Sequence, residues 1–108
     1  MASEETLAIL RRYWRRLVDE NLPVKGLVLY GSHARDDAHR DSDIDVLVLL
    51  DDSVAETDIR DLWRQLEHLT IGVDTRIETW PVTVTRFQTD EVSPLIIIAR
   101  RDGIRIAA

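Results

Sequence analysis

LVLYGSHARDDAHRDSDIDVLVLL, residues 27–50, is the stretch on which the fold of this chain turns. Two apolar runs of strand type enclose a polar segment; Gly31-Ser32 closes the first run and Asp43-Ile44-Asp45 opens the second. A strand that ends in Gly-Ser presents small side chains and backbone N–H groups, so phosphate oxygens can approach closely. In a strand over Asp43–Leu50, side chains alternate faces with period two, which puts Asp43, Asp45, Leu47 and Leu49 on one side. Carboxylates at the start of an apolar strand are costly to desolvate unless a cation or hydrogen bonds compensate. Paired carboxylates beside a phosphate cradle suit Mg²⁺-dependent phosphoryl or nucleotidyl transfer.

Outward from this stretch, the pattern predicts an amphipathic helix over about Ser3–Glu20. Leu7, Leu10, Trp14, Leu17 and Val18 form its apolar stripe, and Arg11, Arg12, Arg15 and Arg16 a basic outer face. Asn21 and Pro23 stop it. Val24–Tyr30 reads as a buried strand, and Ser32 to about Asp37 as a short helix with the Gly-Ser turn at its N-terminus, a favourable anion site. Ile59, Leu62, Trp63, Leu66 and Leu69 mark a second long helix capped by Thr57 or Asp58. A third strand is predicted over about Val73–Trp80, ended or held at an edge by Pro81. Ser93-Pro94 and Gly103 frame a last helix, apolar all round over Leu95–Ala99 and so expected to be well buried. This order predicts an α+β (α/β layered) fold, a small mixed sheet with helices on one face.

The 108 residues fit a single domain, residues 1–108, with 44% apolar and 31% charged residues as in an ordinary globular protein. No run is long enough to span a bilayer, and the acidic start is not that of a signal peptide. Absence of cysteine rules out disulfide and thiol chemistry and fits a reducing cytoplasm. The net charge of −6 argues against a long phosphate-backbone footprint, so nucleic acid is not the expected partner. His33, His39 and His68 lack metal-ligand spacing and read as surface residues; Trp14, Trp63 and Trp80 read as core, with Trp80 alternatively stacking on a base.

Gly31 and Ser32, ten intervening residues, then Asp43 and Asp45 resemble the Gly-Ser…Asp-x-Asp signature of the DNA polymerase β-like nucleotidyltransferase superfamily, in particular its minimal nucleotidyltransferases (MNT proteins). Ala34, Arg35, Ser42, Ile44 and the apolar run from Val46 also stand where that family places similar residues. Four fixed positions at fixed spacing arise by chance in roughly one chain of this length in a thousand. The resemblance implies transfer of a nucleoside monophosphate, AMP for preference, from a nucleoside triphosphate to a hydroxyl acceptor. It implies two Mg²⁺ ions held by Asp43 and Asp45 with a third carboxylate from the next strand. Glu78 in IETWPVT is favoured for that role over Asp74, which shares its parity, with Arg76 between them. Gly31, Ser32, Arg35 and Ser42 are the expected nucleotide- and phosphate-binding residues. Many relatives carry glycine where this chain has Asp36, an acid beside the presumed phosphate site. For the acceptor, the resemblance points to a small helical protein, as with antitoxins that modify a HEPN ribonuclease partner, and the arginine face of the first helix is a candidate docking surface. Oligomerisation remains open. The competing reading is a non-catalytic nucleotide-binding or antitoxin module that acts by stoichiometric binding.

Overall fold

The computed structural model describes residues 2–35, 37–39 and 41–107. The elements are α1 (Glu4–Asp19), β1 (Val24–Tyr30), α2 (Ser32–Arg35), β2 (Ile44–Leu50), a 3₁₀ turn (Glu56–Asp58), α3 (Ile59–His68), β3 (Ile77–Thr83), α4 (Val84–Thr89), α5 (Pro94–Asp102) and β4 (Ile104–Ala107). The four strands form one mixed sheet in the order β3-β2-β1-β4. β1 runs antiparallel to β2 and β4, and β2 is parallel to β3.

β2 explains the layering. From Val46 to Leu50 it is buried without a break, so both of its faces need cover. Val46, Val48 and Leu50 pack with Leu27, Leu29 and Ile77 against α1 and α3, through Leu10, Tyr13, Leu17, Leu62 and Leu66. Leu47 and Leu49 pack with Val28 and Val82 against Ile96 and Ala99 of α5. Helices therefore cover both faces of the sheet, not one as expected. The second layer comes from α4, unforeseen in the sequence, and α5. Arg100 of α5 fastens the corner between them, donating to the carbonyls of Phe87 and Asp90 at 2.8 and 2.9 Å.

α1 starts where Ser3 caps it, its hydroxyl oxygen accepting the Thr6 N–H at 3.1 Å. The buried stripe is Thr6, Ile9, Leu10, Tyr13 and Leu17, while Val18 faces solvent, a rotation of the expected stripe toward α3. The Tyr13 hydroxyl accounts for part of it, donating to the Leu66 carbonyl at 2.7 Å. On α5 only Ile96 and Ala99 are buried and Ile98 is exposed, because a helix lying over one sheet face buries one stripe however apolar it is. α2 is described over Ser32–Arg35, and its expected continuation through Asp36 lies outside the described residues. The short strand β4, also unforeseen, pairs with β1.

β3 occupies 77–83 rather than 73–80, with Pro81 inside it. It is an edge strand whose outer rim is covered. The Thr79 N–H and hydroxyl donate to Glu67 Oε1 at 3.3 and 2.7 Å, and the Thr79 carbonyl accepts Trp63 Nε1–H at 2.9 Å. Pro81 has the outward parity of Thr79, so it lacks an N–H where no strand needs one. Glu67→Ala leaves two donors of buried Thr79 unpaired. It is expected to cost about 1–3 kcal/mol in urea denaturation, and Glu67→Gln much less.

Candidate active site

Register brings the chemistry together. Tyr30 on β1 stands opposite Asp45 on β2, and Asp45 opposite Glu78 on β3, so three side chains line up across three strands on the face that α5 covers farther along. Asp43 lies one residue before β2, exposed and outside the ladder, which begins with the Ile44 N–H donating to the Arg76 carbonyl at 2.9 Å. The electrostatics record the crowding. Burial and then the Asp43 charge push the Asp45 carboxyl up, and His33 and Arg35 oppose them. Glu78 is pushed up chiefly by the Asp43 charge, then by burial and by Asp45 and Glu67. Burial, Asp45 and Glu78 push the Tyr30 phenol up to about 12, so it stays a hydrogen-bond donor at neutral pH. Tyr30 was not among the expected site residues; its position closing a strand one residue before Gly-Ser was the available signal.

Asp74 does not lie on the strand with Glu78. It belongs to the preceding turn, where its carboxylate accepts from Arg76 Nε at 3.1 Å, Arg76 Nη2 at 2.8 Å and the Arg76 N–H at 2.9 Å. Those bonds hold its carboxyl below the usual range. Asp74 braces the entry to β3, and Glu78 faces the aspartates.

Gly31 turns the chain out of β1 with φ at +77°, and a Cβ there would lie 2.5 Å from Asp45 Oδ2. Glycine is required twice, by the left-handed backbone and by the carboxylate beside it. Ser32 opens α2, and the first N–H groups of a helix have no intrahelical partner. Arg35 is exposed, pairs with Asp37 at 3.3 Å, and bears on Asp45 electrostatically. The Ser42 hydroxyl oxygen accepts the His39 N–H at 2.8 Å and so braces its own loop. Asp36 lies outside the described residues. His33, expected at the surface, is half-buried with both ring nitrogens engaged.

Oxygen donors are what Mg²⁺ selects, and two carboxyls raised by the charge of a neighbouring third, Asp43, make a set that a divalent cation would relieve. Among the described residues no three His, Cys, Asp or Glu side chains are already drawn into a metal-holding cluster. A cleft of about 520 Å³ lies elsewhere, along the outer rim of β3 between Trp63, Trp80, Arg60 and Arg86. Trp80 is 42% exposed there and meets Trp63 with the rings tilted by 57° and their centroids 5.2 Å apart, so it is not core. The cleft carries no acid pair, and the carboxylates rather than the cavity mark the site.

The nucleotidyltransferase domain family model matches residues 10–104. The chain belongs to this family. Nucleotidyl transfer is thus its general chemistry, as the Gly-Ser…Asp-x-Asp resemblance implies. No protein of curated function matches the chain in sequence. Among solved structures, a Sulfolobus solfataricus protein with a proposed nucleotidyltransferase assignment is 14% identical with a TM-score of 0.67, over 94% of this chain and 78% of its own. A toxin–antitoxin with AMP-PNP is 20% identical with a TM-score of 0.57, over 89% of this chain and 70% of its own. The MntA–HpeT toxin–antitoxin, as a mutant with two aspartate-to-glutamate changes two residues apart, is 18% identical with a TM-score of 0.55, over 89% and 70%. At these identities the likeness is one of fold. Among the described residues no helix is long and apolar enough to cross a membrane.

Proposed function

We propose that this nucleotidyltransferase moves a nucleoside monophosphate, AMP for preference, from a Mg²⁺-bound triphosphate to a hydroxyl on a protein partner. The observation that carries the reading is the row Asp45–Glu78 with Asp43 at its end, where acids converge on one spot beside a glycine turn. Asp43, Asp45 and Glu78 would hold the divalent ions. Bound there, Mg²⁺ supplies charge neutralisation on the phosphates and a more acidic acceptor hydroxyl. The chain's own part is positional. Gly31 lets backbone come close to phosphate oxygens, Ser32 adds a hydroxyl, and Arg35 adds a cation within reach of the same acids. Protonated Tyr30 offers a donor at the edge of the row, where a sugar or acceptor group would need one.

The structurally similar toxin–antitoxins support a protein acceptor, and the AMP-PNP of one supports ATP as donor. We take the partner to be a small helical, HEPN-like protein, with the exposed Arg11, Arg12 and Arg15 of α1 available to an acidic surface. Incubation with Mg²⁺, α-labelled ATP and the product of a neighbouring gene is expected to label that protein. Partner binding without label, unchanged in Asp43→Asn, would instead favour a binding module. Of the third acids, Glu78→Gln is expected to lower transfer roughly 100-fold or more, while Asp74→Asn mainly loosens the turn before β3. Rates of label transfer against thermal midpoints separate the two.

A further inference from the structure

His33 joins two parts of the site that the sheet does not connect. Its Nε2 lies 3.2 Å from the Ser42 carbonyl oxygen and its Nδ1 lies 3.2 Å from Thr6 Oγ1. A carbonyl only accepts, so Nε2 carries the proton, and Nδ1 meets the Thr6 hydroxyl, from which an unprotonated Nδ1 accepts. The Thr6 hydroxyl in turn receives the Ser3 hydroxyl at 2.9 Å, and Ser3 caps α1. A hydrogen-bonded line therefore runs from the first turn of α1 through His33 to the peptide that joins Ser42 to Asp43.

That peptide matters because the unit is planar. Fixing the Ser42 oxygen fixes the orientation of the Asp43 nitrogen and Cα. Asp43 has no strand ladder to place it, since pairing starts at Ile44. On the other side the Ser42 N–H donates to the His39 carbonyl at 3.0 Å and its Oγ accepts the His39 N–H, so the residue is held from two directions. Ser3 and Thr6 precede residue 10, where the family match begins, so the α1 end of the line lies outside the matched region.

We propose that His33 is a positioning residue, tied to α1 by Thr6, that sets the Ser42–Asp43 peptide so the Asp43 carboxylate can meet Asp45 and Glu78 around one divalent cation. This rests on the reading of those three acids as cation ligands. The test is a calorimetric titration of Mn²⁺ into the full chain, for wild type and for His33→Ala, His33→Gln, Thr6→Val and His39→Ala, with thermal midpoints for each.

His33→Ala is expected to weaken Mn²⁺ binding roughly 10- to 100-fold, as loss of a group orienting a metal ligand does. His33→Gln, which can donate to Ser42 and accept from Thr6, should recover most of that loss. Thr6→Val, distant from the acids, should weaken binding by a smaller factor, and His39→Ala should leave it unchanged. Recovery by Gln at a similar midpoint is a result that a purely structural histidine would not give. Wild-type binding matched within about twofold by His33→Ala overturns the proposal. Wild type that binds no Mn²⁺ overturns the three-acid reading first, and this inference with it.

Discussion

Asp45→Asn is expected to lose nucleotidyl transfer by roughly three orders of magnitude or more while folding more stably than the wild type at neutral pH. The activity loss follows from its place in the row, where Asp45 is the acid in register with both Tyr30 and Glu78. The stability gain follows from the sign of the pKa shifts. Asp45 and Glu78 both sit above their ordinary values, with Asp43 a cause of each. A carboxylate raised in the folded state contributes stability below its unfolded pKa and loses it as pH rises through the folded value. Without divalent cation, wild type and Asp45→Asn should thus have similar midpoints near about pH 4 and diverge in favour of Asn toward about pH 8. Thermal melts across that range with chelator present check the stability, and label transfer checks the activity. A variant less stable than wild type at pH 8 would mean the acids are held by partners and not by mutual repulsion.

Gly31→Ala is the second large effect. The backbone there is left-handed, and an added methyl meets Asp45 Oδ2 at 2.5 Å. Strain of this kind costs about 1–3 kcal/mol, and the Asp45 carboxylate must also leave its place beside the turn. Gly72→Ala is the control. Its φ is +89°, but a methyl there meets only the Arg16 guanidinium, at 3.0 Å. Both variants should be destabilised in urea melts, but only Gly31→Ala should lose cation-dependent ATP binding. Equal binding in the two would detach Gly31 from the site.

The central part of the fold was legible because it is written in local pattern. The apolar runs of β1 and β2, the Gly-Ser turn, the bounds of α1 and the Pro94-to-Gly103 frame of α5 all appear near where their residues point. What escaped depends on partners distant in sequence. On sequence grounds Pro81 ends β3 or holds it at an edge, and the edge is what holds, but the extent of the strand past Pro81 needed the outer rim met by Glu67 and Trp63. Parity placed Asp74 and Glu78 on one face, but only if the strand reached back to Asp74. The turn held by Asp74 and Arg76 removes the premise. β4 is four residues, too short for periodicity to announce, and forms because β1 offers it an edge. His33 could not be ranked from sequence, since its partners Thr6 and Ser42 meet only through the fold.

The most direct test of the three-acid account is calorimetric titration of ATP into wild type and Asp43→Asn, each in Mg²⁺ and again in chelator. The account expects wild type to bind ATP with Mg²⁺ and to lose that affinity in chelator. Asp43→Asn should bind weakly in both conditions. ATP binding that ignores both the cation and the Asp43 carboxylate would contradict it.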